Sequence, residues 1–311
     1  MIDVRSISKF YRGKKAIDNL SFTIAEGETV GLLGLNGAGK STVLKILGCF
    51  LVPSNGGAFI GGRSVTNDPQ EVRSQIGFLP DTPPLYPEMT VTSYLRFAAQ
   101  LKGVNKLETA KCVDQAIGKT NLQDVRDYRL AELSHGYRQR VGIAQAIVHK
   151  PRVLILDEPI NGLDPIQIVE MRDLIVSLKG DHTVLLSSHI LSEITKTCDR
   201  ILVIDGGQLV AEGRENDLRN DVKQAHEVIL EWENGNSTLI DRLKQCPGVQ
   251  TISTQTDHEK VVCNVYCDRD VRAELAKLVV EDGAKLLALG KKEAELESLF
   301  LKLISKEHLN G

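Results

Sequence analysis

The stretch that most narrows the folds open to this chain is Gly34-Leu35-Asn36-Gly37-Ala38-Gly39-Lys40-Ser41-Thr42. It lies between an apolar run, Val30 to Leu33, and a helical pattern, Val43 to Leu47. Gly34, Gly39, Lys40 and Ser41 fill the spacing G-x-x-x-x-G-K-[ST], a loop whose backbone N–H groups wrap phosphates while the lysine reaches the β- and γ-phosphates. Glycines let the backbone take φ > 0 and approach phosphate oxygens, and the following helix points its positive end at the anion. Ser41 offers a hydroxyl to Mg²⁺. The stretch therefore implies an α/β fold with a phosphate-binding loop between a strand and a helix, and a nucleoside triphosphate as its ligand.

Two further apolar runs end in residues suited to that ligand. Val153-Leu154-Ile155-Leu156 leads into Asp157-Glu158-Pro159, and Thr183 to Ser187 leads into Ser188-His189. Runs this apolar suit parallel strands buried on both faces, and ligands of open α/β sheets bind beyond the carboxyl ends of such strands. Adjacent acids there are costly unless they meet a cation or a reacting water. Asp157 is placed to hold Mg²⁺, directly or through water, and Glu158 to take a proton from an attacking water. A histidine at a strand end is suited to donate to the γ-phosphate, or simply to cap a loop.

Ile2 to Phe10 and Leu20 to Ile24 read as short strands, joined through a Lys9-Phe10-Tyr11-Arg12-Gly13 turn that carries an aromatic ring. Tyr11 is suited to stack on a base or to pack the hairpin. Pro53 to Gly57 reads as a turn before a strand at Ala58 to Ile60, and Ile76 to Asp81 reads as another strand. From Thr90 the pattern is helical, with Val91, Tyr94, Leu95, Ala98 and Leu101 on one face until Gly103. Helical patterns recur at Leu107 to Ile117 and Tyr137 to Val148, so about residues 85–150 form a helical insert.

Composition removes other classes. A net charge of -3 argues against a broad basic footprint for nucleic acid. The six cysteines, at 49, 112, 198, 246, 263 and 267, lack metal-ligand spacing and suit reduced thiols in a cytosolic compartment. The N-terminus has no signal-peptide pattern, and the apolar runs are strand-sized rather than the roughly 18 residues a membrane span needs. A role at a membrane then requires a partner.

Between the insert and the acidic strand stands Leu133-Ser134-His135-Gly136-Tyr137-Arg138-Gln139-Arg140. An aromatic, the phosphate loop, the Asp81 loop, this LSGGQ-type segment, Asp157-Glu158-Pro159, Asn161-Gly162-Leu163-Asp164 and His189 follow one another as in the ATP-binding cassette family. The chain resembles that family over about residues 1–218. The resemblance implies a P-loop triphosphatase of cassette type binding ATP and Mg²⁺, with Tyr11 stacking on adenine. Gly34, Asn36, Gly37, Ala38, Gly39, Lys40, Ser41 and Thr42 would form the phosphate cradle. It also implies Glu158 as general base, His189 as the histidine that contacts the γ-phosphate, and Asp164 as an acid communicating between subunits. Ser134 and Gly136 would close over ATP held by a second subunit, in a homodimer or a pair with a related cassette.

Two positions depart from the family pattern. Asp81 stands where glutamine is usual; its oxygen can still approach Mg²⁺, but it donates no amide hydrogen. His135 and Tyr137 replace a glycine and a glutamine, while Ser134 and Gly136 are retained. The wording around Leu79 to Val91 is similar to the bacterial exporter branch, in particular multidrug, polysaccharide and gliding-motility-associated ATPase subunits. That implies a membrane-spanning permease on a separate chain, a cytoplasmic position on the inner face of the membrane, and no nucleic acid. A soluble cassette ATPase acting on ribosomes or DNA is the alternative.

From residue 219 a second domain is expected. Strands at Ala225 to Trp232, Val249 to Thr254, Lys260 to Tyr266 and Ala284 to Leu289 enclose helices at Ser237 to Gln245 and Asp270 to Glu281. That order, β-α-β-β-α-β, implies a small ferredoxin-like α+β domain, followed by a helix from Glu293 to Ile304.

Overall fold

A computed structural model describes residues 1–215, 217, 218, 226–236, 238–257 and 260–291. Its backbone contacts divide the chain into two compact units, Met1–Leu218 and Arg219–Gly311.

The first unit opens with a hairpin of β1 (Ile2–Tyr11) and β2 (Lys14–Ile24). The expected five-residue turn is not what forms: Tyr11 pairs with Lys14, leaving Arg12-Gly13 as a two-residue loop with φ of 47° and 81°. Two successive positive φ values match the twist of the flanking strands, so the hairpin stays paired almost to its tip. Register shifts along β1 and positive φ at Ser6 and Asn19 break the alternation of side chains, which is why the lysine-rich start of β2 escapes a period-2 reading. After β3 (Thr29–Leu33) come α1 (Lys40–Leu47), β4 (Asn55–Ile60), the short β5 (Arg63–Ser64), α2 (Pro69–Gln75) and β6 (Ile76–Leu79).

Three helices form the insert: α3 (Val91–Leu101), α4 (Lys106–Lys119) and α5 (His135–Ile147). Each begins at a side-chain cap. Thr90, Asn105 and Ser134 accept from the backbone N–H of Ser93, Leu107 and Tyr137, satisfying donors that a helix start leaves unpaired. The unit closes with β7 (Val153–Leu156), α6 (Pro165–Ser177), β8 (Thr183–Ser188), α7 (Leu191–Thr197), β9 (Arg200–Asp205) and β10 (Gln208–Gly213). Sequence pattern passes over α2, α6, α7, β9 and β10.

Strands sort into a four-stranded antiparallel sheet, β2-β1-β4-β5, and a six-stranded sheet ordered β10-β9-β3-β8-β7-β6. In the larger sheet β9, β3, β8, β7 and β6 run parallel, and only the edge strand β10 is antiparallel. One core joins the two sheets through α1, with Ile2, Leu20 and Ile60 packed in the same cluster as Val43, Leu44, Val30, Ile155 and Leu202. Burial of every residue of β3 and β7 explains their unbroken apolar runs.

The second unit contains β11 (His226–Glu233), α8 (Leu239–Lys244), β12 (Val249–Asp257), β13 (Lys260–Cys267), α9 (Arg272–Glu281) and β14 (Lys285–Lys291). Its sheet is antiparallel in the order β12-β13-β11-β14. Central strands thus come from the first and third positions in the chain, the ferredoxin-like arrangement expected. Trp232, Leu230, Val265 and Cys263 pack with Leu239, Leu243, Leu275 and Val279 from the helices. The expected helix at Glu293 to Ile304 lies outside the described residues. Among the described residues no helix is long and apolar enough to cross a membrane.

Candidate functional site

Four adjacent parallel strands deliver the site from their carboxyl ends. In sheet order, β3 runs into the phosphate loop, β8 into His189, β7 into Asp157-Glu158, and β6 into Pro80-Asp81. Leu33 is level with Ser188, and Leu79 with Leu156, so the four ends finish on one edge. They surround a pocket of about 470 Å³ lined by Asn36, Gly37, Gly39, Lys40, Ser41, Thr42, Asp81, Glu158, Asn161 and His189, with Ala16 and Leu35.

Within the loop, Gly39 takes φ of 108° as N-cap of α1, and a Cβ there would stand 2.7 Å from the carbonyl oxygen of Ala16. Only glycine meets both conditions. Lys40 is 5% exposed and donates from Nζ to the carbonyls of Gly34 at 2.8 Å and Leu35 at 3.3 Å. It also pairs with Glu158 Oε1 at 3.3 Å. The ammonium is therefore fixed at the base of the loop, with its charge matched by the Glu158 carboxylate. Gly34 and Ala38 are buried and do not line the pocket.

Glu158 is 8% exposed and holds φ of 49°, unusual for a residue with a side chain. Its N–H donates to Ser187 Oγ at 2.9 Å, and its Oε2 accepts from His189 Nδ1 at 2.9 Å. Asp157 lies deeper. Its Oδ1 accepts from Ser187 Oγ at 2.7 Å and from Ser41 Oγ at 3.2 Å. Burial pushes the Asp157 carboxyl above its usual range, the two hydroxyls oppose that shift, and the charges of Glu158 and Asp81 add to it. Three acids thus converge beside one lysine, an arrangement that attracts further cationic charge.

Other expected site residues lie away from this pocket. Tyr11 does not line it; the ring is exposed at the end of β1, with Lys9 Nζ 5.6 Å from its centroid. Ser134 caps α5, and Gly136 borders a second pocket of about 840 Å³ together with Asp164. Asp164 itself caps α6, accepting from Ile166 N at 3.0 Å and Gln167 N at 2.9 Å. Sequence reasoning missed Ser187, which supports both acids, and Asn161 and Ala16 in the wall. Ser187 stands one step before Ser188-His189, so a polar residue closing an apolar strand was its available signal.

The family described as ABC transporter matches residues 17–161. Along nearly its whole length the chain is similar to the bacitracin transport ATP-binding protein BcrA of Bacillus licheniformis. The two are 33% identical over 306 residues, covering 98% of this chain and 97% of that protein. The Nod factor export ATP-binding protein I of Neorhizobium galegae is 33% identical over 310 residues, covering 98% of this chain and 85% of that one. Among solved structures, an ATP-binding subunit of an ABC transporter matches with a TM-score of 0.65 at 32% identity, covering 71% of this chain and 92% of that one. An ATP-binding cassette solved as a dimer in a post-hydrolysis state, bound to ADP and Pi, matches with a TM-score of 0.63 at 26% identity, covering 69% and 98%. The chain belongs to the ABC transporter family, as an ATP-binding and ATP-hydrolysing subunit.

Proposed function

We propose that two copies of this chain pair head to tail on the inner face of the cell membrane and drive export through a separate membrane-spanning permease. The observation that carries the pairing is the division of the site. Loop, base and histidine share one pocket, while Gly136 and Asp164 border another and Ser134 lines neither. One chain holds one phosphate loop and one LSGGQ-type segment, so two complete ATP sites need two chains. Residues 1–218 are the ATPase domain in this reading and 219–311 an accessory domain.

Each bound ATP lies along Gly34 to Thr42, with Tyr11 stacked on adenine and Lys40 on the β- and γ-phosphates. Glu158 accepts the proton of the attacking water, held in place by His189 and Lys40. His189 turns toward the γ-phosphate, and the first turn of the partner's signature helix, with its Ser134 and Gly136, adds a positive helix end there. Asp164 faces the opposite chain. Mg²⁺ suits the oxygen donors present: Asp157 and Ser41 already share a hydrogen bond, Asp81 stands near, and Mg²⁺ binds through one or two carboxylates plus substrate phosphates. Among the described residues no group of three or more His, Cys, Asp or Glu side chains is placed to hold a metal ion. Bound beside Asp157 and Ser41, Mg²⁺ would neutralise developing phosphate charge.

Transport and export rest on the relatives named for bacitracin transport and Nod factor export. Exposed aromatic rings support docking to a permease: Phe50 packs on the half-buried Phe78 with ring centroids 4.9 Å apart, and Tyr86 on Phe97 at 5.7 Å. Substrate contacts would then belong to the permease.

A Glu158→Gln chain tests the reading. It is expected to bind ATP, to form an ATP-dependent dimer by light scattering, and to lose turnover at least about 100-fold. Isolated from gently solubilised cells in ATP and Mg²⁺, it should bring down a polytopic membrane protein in stoichiometric amount. Near-normal hydrolysis would remove Glu158 as base, and ribosomes or nucleic acid without a membrane protein would contradict the transport role.

A further inference from the structure

His135 and Gln139 stand four residues apart in α5 and so share one face of the helix. They bond to two different loops that line the ATP pocket. His135 Nε2 lies 3.1 Å from the carbonyl oxygen of Asn161, which can only accept, so the ring nitrogen donates. One turn later Gln139 Nε2 donates to the carbonyl of Asp81 at 3.2 Å. Asn161 closes the bridge between them, with Nδ2 at 3.5 Å from Asp81 Oδ1. Asn161 also donates its N–H to the carbonyl of Glu158 at 3.1 Å, so the His135 contact is one turn from the base.

The local chain is shaped to seat the imidazole. Gly162 has φ of 72°, and a Cβ there would stand 3.4 Å from His135 Nε2, in van der Waals contact with the ring. Gln139 is 1% exposed, and its Oε1 has no hydrogen-bond partner. A buried amide left half-satisfied is a cost that proteins seldom carry without another constraint on the group; here that constraint is the bond from its other end to Asp81. His135 and Asp81 are also two places where the sequence departs from the cassette pattern, and Asn161 joins them.

We propose that His135 is a positioning residue for hydrolysis: its bond to Asn161 makes the helix that presents Ser134 and Gly136 move together with the loop that leaves Glu158. In the paired chain, Glu158 serves the chain's own ATP and Ser134 serves the partner's. Loading of one site is then transmitted to the other through a hydrogen bond inside each chain. This consequence rests on the head-to-tail reading, whereas the tie between α5 and the Glu158 loop does not.

The test compares His135→Ala and His135→Gln, the second keeping an N–H donor of similar reach, with the unsubstituted full-length chain. Readouts are hydrolysis rate against ATP concentration, affinity for a fluorescent ATP analogue, and the melting midpoint. His135→Ala is expected to lower kcat about two- to tenfold, the effect of one net hydrogen bond. The parent is expected to depend sigmoidally on ATP and His135→Ala hyperbolically, while analogue affinity and melting midpoint stay near those of the parent. His135→Gln is expected to restore kcat. Parental kcat in His135→Ala, equal loss in both variants, or a loss confined to analogue affinity would overturn the proposal. The Glu158→Gln chain separates the two ideas: without an ATP-dependent dimer the pairing fails, while a kcat loss rescued by glutamine still upholds the local tie.

Discussion

Glu158 concentrates the strain of the site. Left-handed backbone at a residue with a side chain costs on the order of 1–3 kcal/mol and persists where its surroundings over-determine it. Here they do: Ser187 holds its N–H, Lys40 one carboxylate oxygen and His189 the other. Asp157 carries a different cost. Its carboxyl is raised chiefly by burial, so ionisation penalises the native state at pH values above its native pKa. Asparagine keeps an oxygen for both serine hydroxyls and removes the charge. In a melt at pH 8, Asp157→Asn is expected to hold or raise the unfolding midpoint while Mg²⁺-dependent hydrolysis falls roughly 100-fold or more. A clear drop in midpoint with activity intact would refute this account of Asp157. Lys40 was legible from the glycine spacing of its loop, and Asp157, Glu158 and His189 because each follows an apolar run that fits a buried parallel strand. Ser187 was not, since a serine closing such a run signals only a strand end. Tyr11 was legible as an aromatic, but its place at the end of β1 came from turn geometry set by the φ values of Arg12 and Gly13.

At the scale of elements, strand order makes the site. Four strand ends distant in sequence become neighbours because β3, β8, β7 and β6 lie side by side in parallel. The runs at Val30 and Val153 announced their burial, but no local pattern announced that β8 would insert between them; pairing is a long-range choice. α6 and α7 were passed over, and in the larger, α6, only Met171, Leu174 and Ile175 are buried while Ile166 and Val169 stay exposed, so apolar periodicity is weak there. The seam between β6 and the end of α5 holds a titratable group. His149 Nε2 meets the carbonyl of Ile76 at 3.0 Å, its Nδ1 is buried without a partner, and burial first, then the nearby Lys102 charge, pushes its pKa down to about 4. The unfolded chain takes up that proton near pH 6.5, before the native chain does. Stability present above pH 6.5 is therefore lost as pH falls toward about 4, at up to roughly 1.4 kcal/mol per pH unit. Urea midpoints between pH 7 and 5 are expected to fall more steeply for the parent chain than for His149→Gln. Parallel profiles would show that this seam does not set acid sensitivity.

For the whole molecule, the central claim is that a complete ATP site takes its phosphate loop from one chain and its signature segment from another. The family resemblance, together with the count of one phosphate loop and one signature segment per chain, carried that idea from the sequence, and the separation of Gly136 and Asp164 from the loop pocket agrees with it. The ferredoxin-like unit was legible because its strands alternate and its helices are amphipathic, with Trp232, Leu275 and Val279 meeting in one core; its task was not, since a fold does not name a function. The most direct test is complementation. A Lys40→Ala chain and a Ser134→Arg chain should each be inactive as homodimers, for every site then contains one damaged half. Mixed in equal amounts and allowed to exchange, half of the dimers become hybrid, with one site carrying both lesions and the other intact. The pairing predicts that hydrolysis returns, to at most about a quarter of the parental rate, the level that two independent sites would give. A mixture as inactive as its parts would contradict it.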